Sequence, residues 1–203
     1  MAIIKTETKQ KTIEKEVTLN GVGLHTGLNV KLVFKPGAEN SGFLFERVDL
    51  EGNPKIEADA NYVTNTQRGT CLERNGVTIQ TCEHVLAALV GLDIDNAVIT
   101  LDSSEPPIMD GSSKFFVEAI EKAGIIEQEA LREEYQVTEI VSYCDEETGS
   151  EIILMPSNSY QVTTMVDFGT KVLGTQNATM TSVSDFKSEI ANARTFSFLH
   201  EIE

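Results

Sequence analysis

The chain has 203 residues, a length for one large or two small domains, with 40% hydrophobic and 24% charged residues, as in ordinary globular proteins. Sixteen Lys and Arg face 32 Asp and Glu, a net charge of −16. That excludes general nucleic-acid binding, which needs a basic surface.

No run of roughly 18 apolar residues exists, so no integral membrane segment is expected. The N-terminus, Met1-Ala2-Ile3-Ile4-Lys5-Thr6-Glu7, lacks the apolar core of a signal peptide. Cys71, Cys82 and Cys144 are odd in number and without metal-type spacing. A reducing, cytoplasmic setting is the simplest reading.

The first half reads as strands. Residues 12–19 alternate loosely. Gly21-Val22-Gly23-Leu24-His25-Thr26-Gly27 is a glycine-rich turn without the spacing of a phosphate-cradling loop. Residues 28–34 alternate cleanly, with Leu28, Val30, Leu32 and Phe34 on one face, and Lys35-Pro36-Gly37 ends the run. Residues 42–48 and 55–60 are further strands around a Gly52-Asn53-Pro54 turn. Residues 69–73 and 77–81 flank Asn75-Gly76, a strong hairpin signal.

Next comes the stretch around which the chain is organised, Thr81-Cys82-Glu83-His84-Val85-Leu86-Ala87-Ala88-Leu89-Val90-Gly91. It predicts a helix capped by Thr81 and closed by Gly91, with Val85, Leu86, Ala88 and Leu89 as a buried face. Glu83 and His84 sit in its first turn. The positive end of a helix suits a carboxylate base and a neutral imidazole, and neutral imidazole is the metal-binding form. A His ligand beside a Glu that is not a ligand is a layout for metal-assisted hydrolysis. A first-turn Glu also complements the helix dipole by itself, and a lone His is often structural, so the pair alone reads both ways.

Residues 96–101 form a β-rich run, and residues 102–111 a loop dense in turn residues. Asp110 is positioned to cap a helix over 112–123, with Phe115, Phe116, Ala119 and Ile120 as its apolar face and Gly124 as its end. Helices striped onto a sheet give an α+β class. The composition then turns polar, and residues 127–134 read as a linker between a first domain (1–126) and a second (135–203). The second carries strands over 136–144, 150–155, 160–168 and 178–183. A helix follows, capped by Ser184 or Asp185 and carrying Phe186, Ile190 and Ala193. With fewer helices than the first, it is expected to be incomplete as given.

The motifs Thr81-Cys82-Glu83-His84-Val85-Leu86-Ala87-Ala88-Leu89, Gly91-Leu92-Asp93-Ile94-Asp95-Asn96 and Glu105-Pro106-Pro107-Ile108-Met109-Asp110-Gly111-Ser112 resemble the UDP-3-O-acyl-N-acetylglucosamine deacetylase family. So do residues 21–27 and Ala193-Arg194-Thr195-Phe196. The motifs follow the family's order and cover nearly the whole chain. The resemblance implies a cytoplasmic zinc hydrolase of Gram-negative bacteria. It would remove the N-acetyl group of a UDP-linked, 3-O-acylated glucosamine, the committed step of lipid A synthesis. It also implies two similar domains, each a sheet with two helices, facing each other across the zinc.

Carried over by position, Glu83 matches the general base and His84 a zinc ligand. Thr195 matches the threonine that contacts the oxyanion, and Phe196 a neighbouring residue of the substrate cleft. His25 lies in a family motif but receives no chemistry. In the implied mechanism zinc polarises the amide and acidifies its water, Glu83 takes the water's proton, and Thr195 donates to the oxyanion.

The sequence departs from the family pattern after Phe196. The family's later His-Lys-x-x-Asp helix supplies two more zinc ligands, and its other catalytic histidine lies beyond. Neither occurs in these 203 residues, where His200-Glu201-Ile202-Glu203 does not match. The expectation is the N-terminal portion of a deacetylase, partnered by the rest of the same polypeptide. Alone it would bind zinc weakly and be inactive. The rival expectations are a non-catalytic piece that folds or binds ligand without turnover, and an unrelated α+β binding domain.

Overall fold

A computed structural model of the chain describes residues 2–198; the expectation placed on His200 and its neighbours lies outside the described residues. The chain starts with a long strand, β1 (Ala2–Ile13), and turns through residues 14–16 into β2 (Val17–Val22). β3 (Asn29–Pro36), β4 (Phe43–Arg47), β5 (Lys55–Glu57), β6 (Val63–Asn65), β7 (Cys71–Arg74) and β8 (Val77–Ile79) follow. Then come α1 (Glu83–Gly91), β9 (Ala97–Leu101) and α2 (Lys114–Ala123). The class is α+β.

The central sheet has five strands in the order β2-β3-β9-β4-β5, antiparallel except for β4 beside β9. β3 buries Val30, Leu32 and Phe34 on one face, as its alternation predicts, whereas Leu28 lies before the strand and is exposed. β9 is central and carries Ile99, Thr100 and Leu101 all buried, so it reads as a continuous run and not as alternation. Both helices cover this sheet. α1 contributes Val85, Ala88 and Leu89, and α2 contributes Phe116, Val117 and Ile120. The Phe34 and Phe116 rings meet edge to face at 6.2 Å. The helix face of α2 is rotated by about one residue from the expected one, so Phe115 is exposed.

The Asn75-Gly76 hairpin forms as expected, with φ of +53° and +76° at its two central residues, and pairs β7 with β8. Residues 127–134, read as a connecting segment, are strand: they belong to β10 (Ile125–Gln136), which pairs antiparallel with β1 through two register irregularities. A two-stranded ribbon tolerates such a polar composition because its backbone groups pair across the ladder and its side chains pair outside it. Arg132 bonds Asp93 and Asp95 at 2.7 Å each, and Gln128 donates to the Gly37 carbonyl at 3.0 Å.

Beyond β10 lie two separate hairpins, β11 (Val141–Cys144) with β12 (Glu151–Leu154), and β13 (Val162–Asp167) with β14 (Thr175–Met180). The expected last helix is a capped 3₁₀ turn, Val183–Asp185, running into one π turn, Phe186–Ile190. Ser182 caps the 3₁₀ turn, its side chain accepting from the Ser184 N–H, and Asp185 takes the N-cap position of the π turn, as expected, but without a side-chain bond to it. Ala193 falls outside it. Phe186 and Ala191 are buried in the first region's core, so this turn docks there.

Candidate functional site

The site is built around the first turn of α1. Thr81 is not its cap: Cys82 takes the N-cap position, with no side-chain hydrogen bond to the helix. Thr81 has φ +52°, the left-handed region, which is costly for a β-branched residue. Its hydroxyl instead donates to the Glu105 carboxylate at 3.0 Å. The sequence expectation failed here because a Thr before a helix reads as a cap, whereas a buried carboxylate 24 residues away competes for its hydroxyl.

Glu83 and His84 then project side by side. Glu83 Oε1 lies 3.8 Å from His84 Nε2, and the Glu83 side chain is the more exposed of the two. The other Glu83 oxygen accepts from the Thr70 N–H at 2.8 Å, which fixes the carboxylate against the loop before β7. Ser113 Oγ donates to the His84 carbonyl at 3.0 Å and ties the helix start to the start of α2. Cys82 is buried beside the pair. Burial first, and then the Glu83 charge, push its thiol up to about 12, so at neutral pH it is a protonated, small buried residue.

Gly91 is the last helical residue and not the left-handed C′ position. Its value is space: a Cβ there would sit 2.0 Å from the Phe186 ring. The helix ends instead at Leu92, whose N–H bonds the Ala88 carbonyl.

Asp110 works one turn before α2. It accepts from the Ser112 hydroxyl at 2.6 Å and from Arg194 at 3.0 and 3.1 Å. The Ser112 bond foremost, and Arg194 after it, hold the Asp110 carboxyl below the usual carboxylate range. Beside this pair the Thr195 N–H donates to the Gly111 carbonyl at 2.8 Å. Residues 110–113 thus touch both the His84 carbonyl and the Arg194-Thr195 segment. Thr195 and Phe196 are exposed and outside any helix. The Phe196 ring rests against Phe168 at 5.4 Å and Phe198 at 5.6 Å.

The sequence reading passed over Glu105. Its side chain is wholly buried and accepts from the His25 and Thr26 N–H groups and from the Thr26 and Thr81 hydroxyls, all at 2.9–3.1 Å. Burial works to raise this carboxyl, but the backbone and hydroxyl bonds outweigh it and hold it low. A Glu within a loop of Ser and Pro gave no signal of burial.

His84 offers one nitrogen to a metal. Among the described residues no three His, Cys, Asp or Glu side chains converge on a metal position. They do not by themselves make the three-ligand set of a catalytic zinc. Among the same residues no helix is long and apolar enough to cross a membrane.

Comparison with known proteins gives these residues a context. The family model for UDP-3-O-acyl N-acetylglycosamine deacetylase matches residues 10–203. A bifunctional enzyme LpxC/FabZ of Bacteroides thetaiotaomicron is 43% identical over 195 residues, 96% of this chain and 42% of that protein. Its counterpart from Porphyromonas gingivalis is 42% identical over the same shares. A UDP-3-O-acyl-N-acetylglucosamine deacetylase of Chromohalobacter salexigens is 40% identical over 199 residues, 96% of this chain and 65% of that protein. The chain therefore spans less than two thirds of the length of each of these relatives.

Proposed function

The chain belongs to the UDP-3-O-acyl N-acetylglycosamine deacetylase family, and from that membership we propose that its protein hydrolyses the N-acetyl group of UDP-3-O-acyl-N-acetylglucosamine in lipid A synthesis. One observation carries the reading: Glu83 and His84 stand side by side at 3.8 Å in the first turn of α1, clamped by Thr70 and Ser113. We place the reaction, the committed step of that synthesis, in the cytoplasm of a Gram-negative bacterium; unpaired Cys71, Cys82 and Cys144 fit a reducing compartment.

His84 would be one ligand of a zinc ion, with the others coming from residues not described above. Zinc, when bound, supplies Lewis-acid polarisation of the amide. Glu83 acts on the attacking water and holds its proton at a carboxylate oxygen; the Thr70 bond fixes the other oxygen, so the base enters the step with its geometry set. Thr195, held by its backbone on Gly111, would give its hydroxyl to the developing oxyanion. Phe196, its ring tilted against Phe168, would give the substrate cleft an apolar wall. On this reading the 203-residue chain by itself binds zinc weakly and does not turn over.

The test is Glu83→Gln in the full-length protein, followed by acetate release. Turnover is expected to fall about 10²–10⁴-fold with KM little changed. Wild-type kcat in this variant would sink the assignment. A 203-residue chain that retained zinc through dialysis and deacetylated substrate would sink the zinc proposal as stated.

A further inference from the structure

Two routes of hydrogen bonds lead from the buried Glu105 carboxylate to Glu83. The first runs through Thr81, whose hydroxyl bonds Glu105 and which lies two residues before Glu83. The second runs through the glycine-rich turn. Glu105 holds the backbone of His25, and the His25 ring Nε2 lies 3.2 Å from the Arg68 carbonyl. A carbonyl only accepts, so Nε2 carries the hydrogen there. Arg68 is followed by Gly69 and by Thr70, whose N–H holds Glu83 at 2.8 Å. A Cβ on Gly69 would meet Thr81 Oγ1 at 3.3 Å and Glu83 Oε1 at 3.5 Å, so the two routes close on each other at the reacting carboxylate.

The acceptor is matched to its donors. A carboxylate has about four lone-pair sites, and Glu105 meets four donors: two N–H groups and two hydroxyls. Gly23 leaves room for this approach, since a Cβ there would sit 2.5 Å from Glu105 Oε2. The left-handed Thr81, at φ +52°, is the conformation least expected to hold by itself and the one that Glu105 anchors.

We infer that Glu105 is a positioning residue for the hydrolytic site: it fixes the His25 turn and the strained Thr81 and through both aims the Glu83 carboxylate. The inference rests on the reading of Glu83 as the base. Glu105 itself touches no substrate. Replacing it with Gln keeps the shape but sets an NH₂ against either the Thr26 N–H or the His25 N–H and Thr81 hydroxyl, so in either orientation the glycine-rich turn loses part of its hold on this side chain.

The experiment compares Glu105→Gln and Thr81→Val with wild type in the full-length protein. It measures melting temperature, kcat and KM for deacetylation, and the His25 ring ¹⁵N signals. The expected result for Glu105→Gln is a folded protein, kcat lower by about 10–100-fold with KM within about threefold, as for a misaimed group. Its His25 signals should move from the Nε2–H tautomer towards a mixture. Thr81→Val should reproduce the loss in kcat while leaving His25 unchanged, because it cuts one route only; it also carries the test if Glu105→Gln does not fold.

A purely structural Glu105 would lower the melting temperature and leave kcat per folded molecule and the His25 signals as in wild type, which overturns the inference. If wild type fails to deacetylate, the functional reading falls separately. The His25 signals then still decide whether Glu105 holds this turn.

Discussion

The region up to Ile125 and the region from Val141 to Met180 are both rich in strand, yet they are held in different ways. In the first, strands interleave with two helices and bury Phe34, Phe45, Ile99, Leu89 and Phe116 completely. In the second, two hairpins pair along their backbones, and every strand residue except the half-buried Met180 is exposed, including Tyr143, Ile152 and Met165. In the second region the strands are joined by backbone pairing across a turn alone, whereas burial in the first comes from a second layer of helices. A core substitution should report cooperative loss of packing in the first region, and a hairpin substitution almost nothing.

The largest effect that would break this contrast concerns side-chain truncation. Leu89→Ala removes a wholly buried side chain of α1 and should cost about 2–5 kcal/mol of unfolding free energy. Ile152→Ala, on β12 opposite Tyr143, should stay within about 0.5 kcal/mol. Denaturant melts of the two variants check both. A cost for Ile152→Ala equal to that for Leu89→Ala would mean that the hairpin face is covered in solution, and the comparison would fail.

A smaller effect sharpens the boundary between the regions. The π turn enters the first core through Phe186, against a helix that has Gly91 where most helices would carry a side chain. Gly91→Ala should cost about 1–3 kcal/mol through overpacking. In a Phe186→Ala background the same change should reverse sign, because Ala is favoured over Gly in a helix by up to about 1 kcal/mol once the ring is gone. A double-mutant cycle reads the reversal. Simple additivity would place Phe186 elsewhere than against Gly91.

How much of this was legible beforehand follows the range of the signal. β3 and the Asn75-Gly76 hairpin are local patterns, period two and a two-residue turn, and both were readable. Both helices were readable too, because their apolar spacing is local. Thr81 and Gly91 were misread for one reason: each obeys a distant partner, Glu105 and Phe186. β10 was obscured by charge, since Arg132 and Gln128 find their partners on other elements. Of the site, Glu83, His84, Thr195 and Phe196 were named by family motif, and Glu83 and His84 by helix position as well. The loop that brings Thr195 near the helix start was not foreseeable, because it joins residues 84 positions apart.

That loop gives the smallest expected change in stability, and the one with the most to say about how the regions meet. Arg194 is two-thirds exposed and Asp110 largely covered, with 67% and 23% of their side chains accessible. Solvent screening leaves such a pair worth no more than about 0.5 kcal/mol. Arg194→Ala should therefore hardly move the melting temperature. The Asp110 carboxyl is held below its ordinary value in the folded protein, so the stability it contributes is present above its unfolded value of about 4 and is lost as pH falls through the lower, folded one. In Arg194→Ala that acid dependence should weaken but persist, because the Ser112 bond is the larger cause and remains. If Thr195 acts where its position suggests, the same variant should lower kcat more than its small stability change predicts, since the pair steadies the backbone that carries the hydroxyl. An Arg194→Ala protein with wild-type kcat and an unaltered acid limb would reduce the contact to surface decoration, and leave the Thr195–Gly111 backbone bond as the tie described for that segment.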